Sequence, residues 1–88
     1  MMNPQTIKQL IETGLKDCIA MIDGEDGQHF TAIVISPAFS GKNRVQKQQL
    51  VYATLESYIK DASLHAISFK TFTPEEWQSE TTMSSHHG

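Results

Sequence analysis

The sequence predicts an α+β domain with element order α-β-β-α-β-α, in which a three-stranded mixed sheet carries helices on one face. Three observations carry this expectation. Two short apolar runs, Cys18 to Ile22 and Phe30 to Ile35, flank a dense turn signal, Asp23-Gly24-Glu25-Asp26-Gly27, as in a hairpin. A long stretch of helical periodicity then separates the second run from a third, Leu64 to Phe72. The chain also carries a proline-led helix start before the first strand and another after the last, at Asn3-Pro4 and Thr73-Pro74.

Each element follows from local chemistry. Asn3 can cap free N–H groups, and Pro4 suits a first helical position, where no N–H is needed. Ile7, Leu10, Ile11 and Leu15 then fall on one face, so a helix is expected over Pro4 to Lys16, weakened near its end by Gly14. Phe30 to Ile35 is apolar at nearly every position, which marks it as the central strand. Ser36 to Asn43 holds Pro37, Ser40 and Gly41 and reads as a loop, with Phe39 as a plug into the core. From Arg44 to Lys60 the stripe Val51, Tyr52, Leu55, Tyr58 and Ile59 marks the longest helix. A strand–helix–strand crossover of this length makes the second and third strands parallel. Thr73, Pro74 and Glu76 spell a capping box for a last short helix, about Pro74 to Glu80. Residues 1–80 form one expected domain, and the small polar residues 81–88 an expected disordered tail.

Bulk composition narrows the function classes. The 88 residues carry a net charge of −3, so no overall electrostatic pull toward nucleic acid or anionic membrane exists, and any nucleic-acid contact needs a local basic patch. Cys18 is the single cysteine and cannot close an internal disulfide, which suits a reducing compartment. No signal peptide or membrane span is legible, so a cytoplasmic location and no membrane partner are expected.

No catalytic set is visible. There is no phosphate-cradling loop with Lys and Ser or Thr, and no serine nucleophile context. Cys18 lies among apolar residues, where a thiol acts as a small hydrophobe. Glu75 and Glu76 suit the N-terminal end of a helix better than acid–base work, and Trp77 suits an anchor to the core. Four histidines remain. His29 ends the hairpin loop, His65 opens the third strand, and His86 and His87 lie in the tail. Two imidazoles from His29 and His65 make an incomplete metal site that a partner would have to complete. Lys42, Arg44 and Lys47 cluster where the long helix begins. Cations there oppose the helix dipole by a few tenths of a kcal/mol each, roughly, unless carboxylates or a phosphate offset them. A solvated basic patch is the alternative reading.

Taken in order, Gly24-Glu25-Asp26-Gly27-Gln28-His29-Phe30, Phe39-Ser40-Gly41-Lys42-Asn43-Arg44-Val45, Leu50-Val51-Tyr52, Leu64-His65-Ala66-Ile67-Ser68 and Thr73-Pro74-Glu75-Glu76-Trp77 resemble the BolA family, and more narrowly its short-loop bacterial members. The resemblance implies a fold related to the class II KH domain. It implies a monothiol, CGFS-type glutaredoxin as partner, with a two-iron two-sulfur cluster shared between glutaredoxin, glutathione and the BolA-like chain. The family's histidine in the His-Ala segment matches His65, and the histidine nearest the hairpin loop is His29; Cys18 sits too early. Many members carry a longer loop with a separate His, and Arg-His where this chain has Lys47-Gln48; the short-loop members share both differences. The family is also linked to transcriptional control and stress response. Gly24 to Gly27 spells the KH gripping loop but falls in a hairpin, and so reads as a turn. Two functions follow as expectations: a non-enzymatic adaptor for iron–sulfur cluster handling, and alternatively a DNA-binding regulator that uses Lys42, Arg44 and Lys47.

Overall fold

The computed structural model describes residues 3–24, 29–60 and 66–85. Along the chain run α1 (Pro4–Gly14), β1 (Ile19–Asp23), β2 (His29–Ile35), a 3-10 turn (Pro37–Phe39), α2 (Arg44–Lys60), β3 (Ala66–Phe72) and α3 (Pro74–Ser85). The sheet order is β1-β2-β3. β2 pairs antiparallel with β1 and parallel with β3, as the hairpin and the crossover require.

Strand alternation decides what each face does. Ala20, Phe30, Ala32, Val34 and Phe69 point to the side where α1 contributes Ile7 and Ile11 and α2 contributes Val51 and Leu55. Phe39 is fully buried in the same cluster, the plug expected from its place in a polar loop. Ser36 ties that loop down: its hydroxyl donates to the Lys16 carbonyl at 2.7 Å and accepts from the Ala38 N–H at 3.1 Å. The opposite face, with Met21, Thr31, Ile33 and Lys70, carries no part of that cluster.

Several expected details shift. α1 ends at Gly14 and not at Lys16. A Cβ at Gly14 would stand 2.5 Å from Thr54 Cγ2, so the glycine lets α1 approach α2 closely. Tyr52 is exposed and not part of the buried stripe. It lies one residue around α2 from buried Val51, and its ring meets Phe69 edge-on at 4.9 Å. The side chain of Ile59 falls outside the described set. α3 starts on the expected capping box, with Thr73 N–H donating to Glu76 Oε1 at 2.7 Å and Glu76 N–H to Thr73 Oγ1 at 3.1 Å. The expected disordered stretch 81–88 is helical through Ser85. The Thr81 hydroxyl donates back to the Trp77 and Gln78 carbonyls, so this polar side chain works with the helix instead of ending it.

The Ala20 peptide groups on the outer edge of β1 are satisfied by side chains. Glu12 Oε2 accepts from Ala20 N–H at 3.0 Å and from Lys8 Nζ at 2.6 Å, while Lys8 Nζ also donates to the Ala20 carbonyl at 2.9 Å. Hydrogen bonds from Lys8 and then from the Ala20 N–H hold the Glu12 carboxyl below its ordinary pKa. Cys18, just before β1, has its thiol pushed up to about 11 by burial and then by the Glu12 carboxylate. It is the inert hydrophobe its neighbours suggest.

Candidate functional site

Two places hold the residues singled out from the sequence, and they lie at opposite ends of β3. At its start, the register sets His29 beside Ala66, the residue that follows His65 in the chain. His29 is exposed, on the face of Thr31 and Ile33 that turns away from the helices. His65 itself lies outside the described residues, as do His86 and His87. Cys18 sits beyond the other end of β1, about 20 Å away at strand spacing, so it does not share a site with His29. Among the described residues no group of three or more His, Cys, Asp or Glu stands together. The fit to an iron–sulfur cluster is therefore partial. His29 is the one imidazole of the pair that the described residues offer, and a cluster would take its other ligands from elsewhere.

At the other end of β3 lies a cleft of about 260 Å³ lined by Arg44, Lys47, Gln48, Phe69, Lys70, Thr71 and Phe72. It forms because α2 begins where β2 ends, and β3, being parallel to β2, returns its C-terminal end to that level. Asn43 fixes the start of α2 by a reciprocal cap: Gln46 N–H donates to Asn43 Oδ1 at 2.8 Å, and Asn43 N–H to Gln46 Oε1 at 3.0 Å. Arg44 is exposed at the first helical position. Lys47 is held at 3.4 Å from Glu76, so part of its charge is answered within the chain. The Glu76 carboxyl stays below its ordinary pKa because it accepts from Thr73 N–H first and from Lys47 next. Lys42 is exposed on the turn before α2 and does not line the cleft. The expected patch is thus divided between an outer cation, Lys42, and the cleft residues Arg44 and Lys47.

Sequence reading missed Lys70, which also lines the cleft from β3, its side chain on the sheet face away from the helices. The signal was present in the crossover, because a parallel third strand must end beside the first turn of α2.

Comparison with known proteins fits this architecture. The family model for the BolA-like protein matches residues 5–76. The chain belongs to the BolA family. It is 50% identical over 52 residues to the acid stress protein IbaG of Escherichia coli K12, a match that covers 59% of this chain and 62% of IbaG, under two thirds of that relative's length. It is 33% identical over 58 residues to the DNA-binding transcriptional regulator BolA of Haemophilus influenzae, covering 66% of this chain and 55% of the regulator. Among solved structures, a bolA homologue from Coxiella burnetii superposes with a TM-score of 0.80 at 40% identity, covering 89% of this chain and 99% of that one. The BolA domain of SufE1 from Arabidopsis thaliana superposes with a TM-score of 0.66 at 30% identity, covering 83% and 93%. No described helix is long and apolar enough to cross a membrane.

Proposed function

We propose that this BolA-family chain is a non-enzymatic, cytoplasmic binding domain that acts in stress-linked regulation by contacting DNA through the basic end of α2. The observation that carries the reading is the placement of Arg44 and Lys47 at one cleft that Lys70 also lines, with Lys42 exposed on the turn before α2. The relative named as a DNA-binding transcriptional regulator supports it, and the relative named for acid stress supports the regulatory setting. With a net charge of −3, attraction is local, and phosphate contacts make affinity fall steeply as salt rises. The test is fluorescence anisotropy of promoter DNA at low salt, with the wild-type chain and with Lys42→Glu combined with Arg44→Glu. Binding that weakens at least about tenfold in the double variant is the expected result. Absent binding at low salt, or binding untouched by the double variant, ends this reading.

A second reading is favoured by the register at the other end of the sheet. His29 next to Ala66 puts one imidazole near the chain position of the family's histidine, His65. There the chain would partner a monothiol glutaredoxin and share a two-iron two-sulfur cluster with it and with glutathione. Its likeness to a BolA domain within SufE1 shows that such domains also occur joined to other proteins. Visible circular dichroism of the reconstituted mixture, with His65→Ala and with His29→Ala, decides it. A cluster spectrum unchanged in the His65 variant removes the ligand role.

A further inference from the structure

We infer that the outer edge of β3, unpaired among the described residues, is a strand-addition site for an extended, acidic segment of a partner protein. The inference goes beyond both functions above and shares only the cleft cations with the first. The backbone itself gives the argument. Ser36 N–H donates to the Phe72 carbonyl at 3.0 Å, so Phe72 turns its peptide groups inward to β2. Alternation then turns those of Lys70 inward as well, and those of Phe69 and Thr71 outward. These outward N–H and C=O groups open on the cleft that the same two residues line. A strand laid there would meet the donors and acceptors that a fourth strand requires.

The walls define the occupant. On one side stands α2, where Val45, Gln48 and Tyr52 follow one another at helical spacing along a single face. Val45 is 63% exposed and Tyr52 is 42% exposed, and the Tyr52 ring rests on Phe69. Arg44 and Lys47 stand on the α2 side of the cleft and Lys70 on the other face of the same edge; among the described residues Glu76 pairs with Lys47. A segment that alternates acidic and apolar side chains satisfies both faces of this edge: carboxylates toward Lys70, on the face away from the helices, and apolar groups toward Val45 and Tyr52 on the α2 side. Contrast with the other edge adds weight, because the outward groups of Ala20 on β1 are already taken by Lys8 and Glu12.

The test appends a seven-residue segment of alternating Glu and Val to the full chain, through a flexible Gly-Ser linker of about 20 residues. Tethering raises the local concentration to roughly the millimolar range, so weak pairing becomes visible. Amide hydrogen exchange at Phe69 and Thr71 is read by NMR, beside a control of equal composition interrupted by proline. Exchange slowed about tenfold at both amides by the alternating segment, and restored by Lys70→Glu, is the expected result. Unchanged exchange overturns the inference, as does equal protection by the proline control. Equal protection by a free single-stranded oligonucleotide overturns it too, and gives the edge to nucleic acid. Loss of duplex DNA binding in the anisotropy assay tests the earlier reading and leaves this one standing.

Discussion

The two edges of the sheet present the same problem and meet it differently. An edge strand leaves a row of unpaired peptide groups that invites another chain. At β1 the chain meets part of the row itself, with Lys8 and Glu12 of α1 reaching over the Ala20 peptide groups. At β3 the row faces a cleft rimmed by Arg44, Lys47 and Lys70. Charged side chains therefore serve opposite ends at the two edges. On β1 a paired acid and base take the N–H and C=O of Ala20. On β3 the cations stand beside the outward peptide groups and leave them available. Among the described residues, the edge without such a guard is the one beside the basic residues, the edge inferred above to take a partner strand.

A core change should abolish the contrast and sets the largest effect. Leu55 on α2 is fully buried in the core cluster that holds residues of α1 and all three strands. Leu55→Ala should cost about 2–5 kcal/mol, lowering the urea midpoint while exposing both edges together. An effect confined to exchange at one edge would show that the two edges do not share a core. Opening only the guarded edge comes next. Glu12→Ala removes the acceptor of the Ala20 N–H and one partner of Lys8, and should cost about 1–2 kcal/mol. Ala20 amide exchange should quicken with no change at Thr71.

Glu12 also gives that guard a pH signature. Its folded pKa lies below the ordinary value of 4.5, so its contribution is fully present above that value and is lost as pH falls through the lower, folded one. The stability gap between the wild type and Glu12→Gln should therefore be constant at neutral pH and should close as the solution is made acidic below the ordinary carboxylate range. A gap that persists at the acid end would mean that the charge on Glu12 does not matter to β1.

Much of this fold was legible, and what was not has physical causes. Helix starts at Asn3 and Thr73 were readable because capping is local: donor and acceptor stand three residues apart. Pairing of the strands was readable because the lengths of the hairpin loop and of the crossover allow few alternatives. The extension of α3 to Ser85 was not, because Ser and Thr choose between back-bonding and turn formation by context. Exposed Tyr52 was misjudged because periodicity marks an apolar face without fixing where the sheet ends beneath it. At the candidate site, Arg44 and Lys47 were found as a run in the chain, whereas Lys70 comes from a distant strand and enters only through the tertiary crossover. The Lys8–Glu12 clip was equally hidden: its i,i+4 spacing reads as an ordinary helix-surface pair until β1 lies beside it.

Support for the open edge from α3 yields a smaller effect. Thr73→Ala removes the hydroxyl that accepts from Glu76 N–H and should cost about 1 kcal/mol. Since Glu76 holds Lys47 at 3.4 Å, loosening this cap should also free Lys47, and DNA affinity should rise slightly where stability falls.

The smallest stability effect belongs to Lys70, and it is the most discriminating. Its side chain is exposed on β3, and substitutions at such positions usually stay within about 0.5 kcal/mol. Lys70→Ser should therefore leave the urea midpoint nearly unmoved while weakening DNA binding and flattening its salt dependence, because one phosphate contact is lost. Those two readouts part company only if Lys70 is there for a ligand. Were it there to discourage edge pairing, as lysines on edge strands often are, its removal would leave the salt slope alone and promote self-association detectable by light scattering. The single substitution thus asks of β3 the question that Lys8 and Glu12 already answer for β1: whether its charge is a guard or an invitation.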